Sequence, residues 1–536
     1  MRPRRTAAAL ATGARHATTA MAMTTERFGV LFCARSDFSV TVSSVPGTMR
    51  AWLSGKLVTP PAEAASAGEG GPGECLINNL SDADLLCILR CLSPRELTQC
   101  KAVCPRWRAL CSEESLWRPL CSLGFPASAA RLGLPATNCC GWYAARAQAA
   151  TRWRTAKPQS VLTLLGHVGT VFGVCASPLD SSVVLSAGED CVLRAWDCST
   201  GASWATPLTQ ALSGCFNVHA WLGEPGDPSS ALVACSGFSG DIVLAPLTGG
   251  RLGTAKSPFR HGADLSRGVI CAGHGLPVVC VRGRGGLMAS SSFDGSIRLW
   301  RPEAALASCH ASGSGTGKGS GEPDCQPAQQ QQQLPLFTTS AAVLADPVLA
   351  DAVLSPHERS VSCLCFPPGA GEPATLLRGG NDGCIKRWDI ARGALTDSRW
   401  GHSGWVWCLE SANDAGGNCY LSGATDGAVR LWDLRMGNGG AVAVLTIPEA
   451  GPVAGLSMCP QGGHSPGSTC FVTGTFDGAV RLFDLRAVGS RAASLRVLGQ
   501  PLTSHADRVT RVVATDAFAA TASFDSTLRV FRFDSV

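Results

Sequence analysis

The strongest constraint on this chain is a short motif that returns along its last two thirds: a turn built on Asp, then an alternating run closing on an aromatic side chain. Its clearest copy reads Gly188-Glu189-Asp190-Cys191-Val192-Leu193-Arg194-Ala195-Trp196-Asp197. Further copies centre on Asp294 with Trp300, Asp382 with Trp388, Asp426 with Trp432, Asp477 with Phe483 and Asp525 with Phe531. A weak copy fits Ser239-Gly240-Asp241-Ile242, with Leu247 in the aromatic's place. Successive turn Asp residues stand 51, 53, 88, 44, 51 and 48 apart, near the ~40–45 residues of a four-stranded repeat unit plus loop insertions. Alternation of period two between Gly and Asp turns makes each copy strand-turn-strand. One such unit cannot bury its apolar face alone, so the seven must pack on one another. The 61 Gly, 32 Pro and 16% charged residues fit a turn-rich globular chain and exclude a long coiled coil.

These copies resemble the WD-repeat propellers, over residues 159–536. The resemblance implies an all-β, seven-bladed ring with buried polar tetrads of structural role. Its tetrad positions are filled by His167, Ser186, Asp190 and Trp196, by His274, Ser290, Asp294 and Trp300, and by His402, Ser422, Asp426 and Trp432. In the family the turn Asp links the His to strand and indole donors, and a buried Asp is tolerable only when hydrogen bonds satisfy it. The last blade ends after its third strand, around Leu528 to Phe533, while Val161-Leu162-Thr163-Leu164-Leu165 stands unassigned before the first. The two are expected to pair, leaving no open edge. Residues 302–354, with their Ser/Gly run and the Gln329–Gln333 tract, are expected to form a solvated low-complexity loop between blades.

Ahead of the repeats, residues 75–121 switch to helical spacing, with Leu85, Leu86, Ile88, Leu89 and Leu92 on one face. Ser81 is placed to cap a first helix, Ser93-Pro94-Arg95-Glu96 forms a capping box for a second, and Pro105 opens a third. Leu80, Leu85, Ile88, Leu89, Leu92, Pro94, Leu97, Cys100, Val103, Cys104, Trp107, Leu110 and Trp117 fall in the order of the F-box. The stretch Val103-Cys104-Pro105-Arg106-Trp107 is similar to its late signature, whereas Ser81 stands where the family has Pro. That resemblance implies docking onto a Skp-type adaptor of a cullin-RING ligase through Leu80, Leu85, Ile88, Leu89, Leu92, Pro94, Leu97, Val103, Trp107 and Trp117. Residues 1–74 read as a disordered N-terminal segment and linker, and 122–158 as a helical connector carrying Trp142, Arg146 and Trp153. The Arg-rich start has the composition of a transit peptide, but a cytoplasmic or nuclear location is the favoured expectation.

No catalytic chemistry is expected of this chain. No phosphate loop ends in Gly-Lys-Ser/Thr, and there is no His-Glu-x-x-His or Cys-x-x-Cys. No catalytic residue, cofactor or metal follows; Cys87, Cys91, Cys100 and Cys104 keep core spacing. A net charge of +5 spread over the chain speaks against nucleic acid, and no run nears the ~20 apolar residues of a membrane span. The 26 Cys sit in apolar runs, as small buried residues do.

Propellers that read phosphorylated segments carry Arg just before the turn Asp and just after the Val that follows the His. Here those positions hold Glu189, Phe293, Asn381, Thr425, Phe476 and Phe524, and Phe172, Ser362, Trp407 and Thr510. A phosphate reader is disfavoured and an aromatic pocket expected. Phe172, Phe293, Trp405, Trp407, Phe476 and Phe524 are the substrate-binding candidates, with Trp400 beside them. Trp432-Asp433-Leu434-Arg435 also resembles the WDxR box that docks on a DDB-type adaptor, and Phe483-Asp484-Leu485-Arg486 is a weaker copy. Taken together the chain resembles the F-box/WD-repeat substrate receptors of SCF ubiquitin ligases: F-box on the adaptor, protein substrate on the propeller. The alternatives are a DDB-type receptor and a scaffold without ubiquitin transfer.

Overall fold

The computed structural model describes residues 80–125, 129, 133–208, 212–250, 260–311, 352–354, 360–367, 375–411, 419–435, 443–446, 451–459, 470–484, 496–502 and 505–534. The N-terminal segment and linker, the Gln tract and the Leu485-Arg486 pair fall outside them. The chain forms two compact units, the first including Leu134–Tyr143 and the second Gly124–Gly133 and everything from Ala144.

The first unit is built from short helices whose starts are written locally. Helix α1 (Asp82–Leu89) is capped by the Ser81 hydroxyl, which accepts from Asp84 N–H at 3.2 Å. Helix α2 (Pro94–Cys100) has the full capping box, Ser93 N–H donating to the Glu96 carboxylate at 2.9 Å. Helix α3 (Pro105–Leu110) starts at Cys104, whose sulfur accepts from Trp107 N–H at 3.5 Å. Helix α4 (Glu114–Gly124) contributes the Glu114 carboxylate, which takes the Cys139 N–H at 3.0 Å and so caps α5 (Cys139–Thr155). Leu85, Leu89, Leu97, Trp107, Leu110, Leu116 and Trp117 make the core, with Trp142 and Tyr143 packed against it.

The second unit is the seven-bladed ring of antiparallel sheets, six of them four-stranded and that of blade 2 five-stranded. Its blades start with the strands Val171–Ala176, Cys215–Leu222, Val278–Arg284, Val361–Cys365, Val406–Ser411, Val453–Met458 and Val509–Ala514. Each of these touches its two counterparts in the adjacent blades and closes a circle, so they are the innermost strands. Cys175, Cys365 and Cys408 on them are buried, and burial pushes their thiols up to about 12. The expected closure is present: Ser160–Leu164 is the outer strand of blade 7, in register from Ser160 opposite Arg532 to Leu164 opposite Leu528. Trp153 of α5 stacks on Phe533 with centroids 3.8 Å apart.

Two expectations need correction. Residues 302–354 do not form a loop between blades: Pro302–Ala311 is a helix, and Ala352–Leu354 is the outer strand of blade 3, opposite Ile297–Leu299. The insertion therefore lies inside blade 3, and the strand beyond it is too short to show alternation. In blade 2 the turn begins two residues before the expected one. Cys215 pairs with Gly237 as Val171 pairs with Gly188 in blade 1, which puts Ser239 at the Asp190 position and Ala245, not Leu247, at the Trp196 position. Gly240, at φ 92°, matches the left-handed turn residues Cys191 at 55° and Gly295 at 80°. Ser239 Oγ accepts from Asp241 N–H as Asp190 accepts from Val192 N–H.

Candidate functional site: an aromatic mouth and a helical docking module

The tetrads fix the geometry of the ring face where the innermost strands begin. In blade 1 the Trp196 indole donates to Ser186 Oγ at 2.8 Å, Ser186 lies 2.7 Å from His167 Nε2, and His167 Nδ1 lies 2.8 Å from Asp190. Asp190 also accepts from Val168 and Val192 N–H. His274, Ser290, Asp294 and Trp300 repeat this order, as do His402, Ser422, Asp426 and Trp432. The hydroxyl, not the Asp, takes the indole proton, which corrects the expected wiring. Blade 7 holds an unanticipated member, His505 with Asp525 at 2.9 Å and Thr521 at 2.7 Å; its 20-residue separation from Asp525 equals that of His274 from Asp294.

Burial, with a smaller push from Arg298, Arg430 or Arg529, holds His274, His402 and His505 below the usual imidazole value against the pull of their Asp partners. Burial opposes ionisation of Asp294, yet hydrogen bonds from Ser296 and Gly275 and the His274 interaction bring it down to about 2. These folded-state values lie below the unfolded ones, so as pH falls the unfolded chain takes up protons first and stability is lost. The three His act from about pH 6.5 downward and the Asp only below about pH 4. Thermal unfolding followed by circular dichroism is therefore expected to give a lower Tm at about pH 5 than at about pH 7; a flat or rising Tm contradicts this wiring.

Above the tetrads two residues of each blade are aimed at the mouth of the ring. The first is the extra residue of a β-bulge at the second position of every innermost strand: Phe172, Phe216, Val279, Ser362, Trp407, Ala454 and Thr510. A bulge leaves its residue out of the ladder and turns the side chain away. The second opens the turn after the next strand, and its N–H donates to the carbonyl just ahead of the innermost strand. Glu189 donates to Thr170, Phe238 to Gly214, Phe293 to Pro277, Asn381 to Ser360, Thr425 to Trp405, Phe476 to Pro452 and Phe524 to Arg508.

The aromatic members join across blades. Phe216 meets Phe293 at 6.0 Å, Phe238 at 4.4 Å and Phe172 at 5.1 Å, and Phe172 meets Phe524 at 5.7 Å. The Arg508 guanidinium lies over Phe524 at 5.8 Å and over Phe476 at 5.1 Å, and Phe476 meets Trp407 at 5.0 Å. All seven rings are half-buried. The arc passes blade 4, where Ser362 donates to Asn381 instead. Phe172, Phe293, Trp407, Phe476 and Phe524 are thus brought together, with Phe216 and Phe238 added. Trp405 is 47% exposed, with its N–H on Thr425 Oγ1. Trp400, 65% exposed, ends the outer strand of blade 4.

The proposed adaptor residues divide sharply. Leu85, Leu89, Leu97, Trp107 and Trp117 are at most 4% exposed and hold the module together. Leu80, Ile88, Leu92 and Pro94 are half-buried and Val103 is 49% exposed, so these five keep apolar surface outside the closed core. Arg435 of the WDxR-like stretch folds back on Asp433, Nη2 to Oδ2 at 2.7 Å and Nε to Oδ1 at 3.0 Å.

The F-box-like family matches residues 85–122. The WD domain, G-beta repeat family matches 158–197, 267–301, 351–389 and 394–433. Nuclear distribution protein PAC1 of Komagataella phaffii is 28% identical over 182 residues, 31% of this chain and 36% of that protein. The ribosome biogenesis protein WDR12 homolog of Chlamydomonas reinhardtii is 31% identical over 25% of this chain and 28% of its own length. Nuclear distribution protein nudF of Emericella nidulans is 27% identical over 54% and 65%. The chain thus spans less than two thirds of each of these relatives. The crystal structure of the WD40 beta propeller domain of Doa1 aligns with a TM-score of 0.45 at 17% identity, over 69% of this chain and 95% of that one. The chain thus carries an F-box-like helical module followed by a seven-bladed WD-repeat propeller, a domain composition that supports a protein-interaction adaptor and is consistent with an F-box/WD-repeat protein.

Proposed function

We propose that the chain is the substrate-recognition subunit of an SCF-type ubiquitin ligase, its helical module on a Skp-type adaptor and its propeller mouth on protein substrate. The observation that carries this reading is the division of the F-box positions into a closed core and an apolar remainder led by Val103. A module under 50 residues long buries little surface, and an apolar face next to its own core is what an adaptor covers. The chain supplies position rather than chemistry: holding substrate near a charged ubiquitin-conjugating enzyme raises the effective concentration of the reacting Lys.

The test is capture of the purified full chain on a Skp-type adaptor and, in parallel, on a DDB-type adaptor. Val103→Asp puts a charge on the exposed face without entering the core, and is expected to weaken Skp-type capture by about tenfold or more. Capture by the DDB-type adaptor, lost in Arg435→Ala, transfers the chain to the other ligase class. Capture by neither leaves a scaffold without ubiquitin transfer.

A further inference from the structure

We propose that the propeller mouth accepts an unphosphorylated protein segment rich in aliphatic and aromatic side chains, laid along the arc from Phe293 through Phe216, Phe172 and Phe524 to Phe476. The inference rests on the substrate-receptor reading for its biological setting, but its physical basis is the mouth alone. Two side chains per blade are aimed there by the same backbone devices, and none of them is Lys or Arg. A phosphate recognised by a protein surface needs clustered, bidentate Arg donors.

Among the described residues the guanidinium in contact with the arc's rings is that of Arg508, which already lies over two of them and has Asp507 within 4.0 Å, while Arg282 and Arg511 stand further along the innermost strands. The acid among the aimed residues is Glu189, whose carboxylate accepts the Thr170 N–H at 3.2 Å; its charge repels a phosphate across the mouth. Half-buried aromatic rings in contact with one another behave oppositely. They are preorganised, have little rotamer freedom left to lose, and gain most from apolar partners that displace water from them. At blade 4 the polar pair Ser362 and Asn381, bonded to each other, interrupts the arc, which leaves the apolar grip to the other blades.

The experiment probes the full chain with an array of acetylated, amidated decapeptides, each synthesised unmodified and with a central phosphoserine. Leading peptides are then titrated by fluorescence anisotropy. Selected peptides are expected to carry at least two large apolar side chains and to gain nothing from phosphorylation. Phe216→Ala is expected to weaken them by about tenfold or more, the size of an aromatic anchor's contribution. Phe238→Ala, in a turn, gives a second reading should Phe216→Ala disturb the blade. Preference for phosphopeptides that Arg508→Glu abolishes overturns the inference, and so does apolar binding indifferent to both Phe changes. Absence of any peptide binding overturns it too. Adaptor capture is scored separately, so failure of the ligase reading leaves the arc's ligand class to stand or fall on the array.

Discussion

Replacing Trp117 by Ala is expected to unfold the helical module while the propeller keeps its own transition. Trp117 is 1% exposed, its indole N–H donates to the Cys111 carbonyl at 2.7 Å, and its ring meets Tyr143 at 5.5 Å and the Lys101 ammonium at 5.2 Å. Removing a buried indole costs about 3–5 kcal/mol through lost transfer energy and the cavity left behind. A core this small supplies rarely more than about 3–5 kcal/mol in total, so the module has no reserve. Helical circular dichroism and limited proteolysis between residues 80 and 123 read the outcome. Retained protection in Trp117→Ala would mean that the module draws its stability from elsewhere. Adaptor capture should fail in this variant as in Val103→Asp, but only Trp117→Ala should lose helix.

Deleting Ser160–Leu164 from the full chain should have the second large effect. These five residues are the outer strand of blade 7, and Leu164 is buried in the cluster formed by Phe518, Ala520, Leu528, Val530 and Trp196. Without them Leu528–Arg532 becomes an unpaired edge, the structure that closed rings avoid. The Tm of the propeller is expected to drop by roughly 10 °C or more, with the remaining protein associating into larger species on size exclusion. A monomer with unchanged Tm would show that the strand decorates the ring rather than closing it.

Most of what lies close together in the chain was legible without a structure. Ser81 and Ser93 cap their helices because a hydroxyl one turn from a free N–H needs no distant partner. The tetrads were legible for a similar reason, since a buried Asp demands its donors and leaves them at fixed separations. His505 carries the same signal less plainly: Thr521 stands at the Ser position and Phe531 at the indole, so the set does not match by residue type.

The number of blades, the helix starts, the polar links that pin each turn and the strand that closes the ring all follow from the order of residues alone. Those rest on local hydrogen bonds and on alternation, which every blade must satisfy by itself. The closed fold, in contrast, is what makes Ala352–Leu354 complete blade 3 from beyond an insertion, since three residues gain their strand character from pairing with Ile297–Leu299. It also decided the register of blade 2, where Ser239 replaces the turn Asp and the eye is drawn to Asp241 instead. The same holds for function. Helical spacing cannot tell Trp107, buried, from Val103, exposed, within one motif. Nor can a repeat show that Phe216 and Phe238 meet Phe172 and Phe293, because those contacts join residues from separate blades and exist only once the ring is closed.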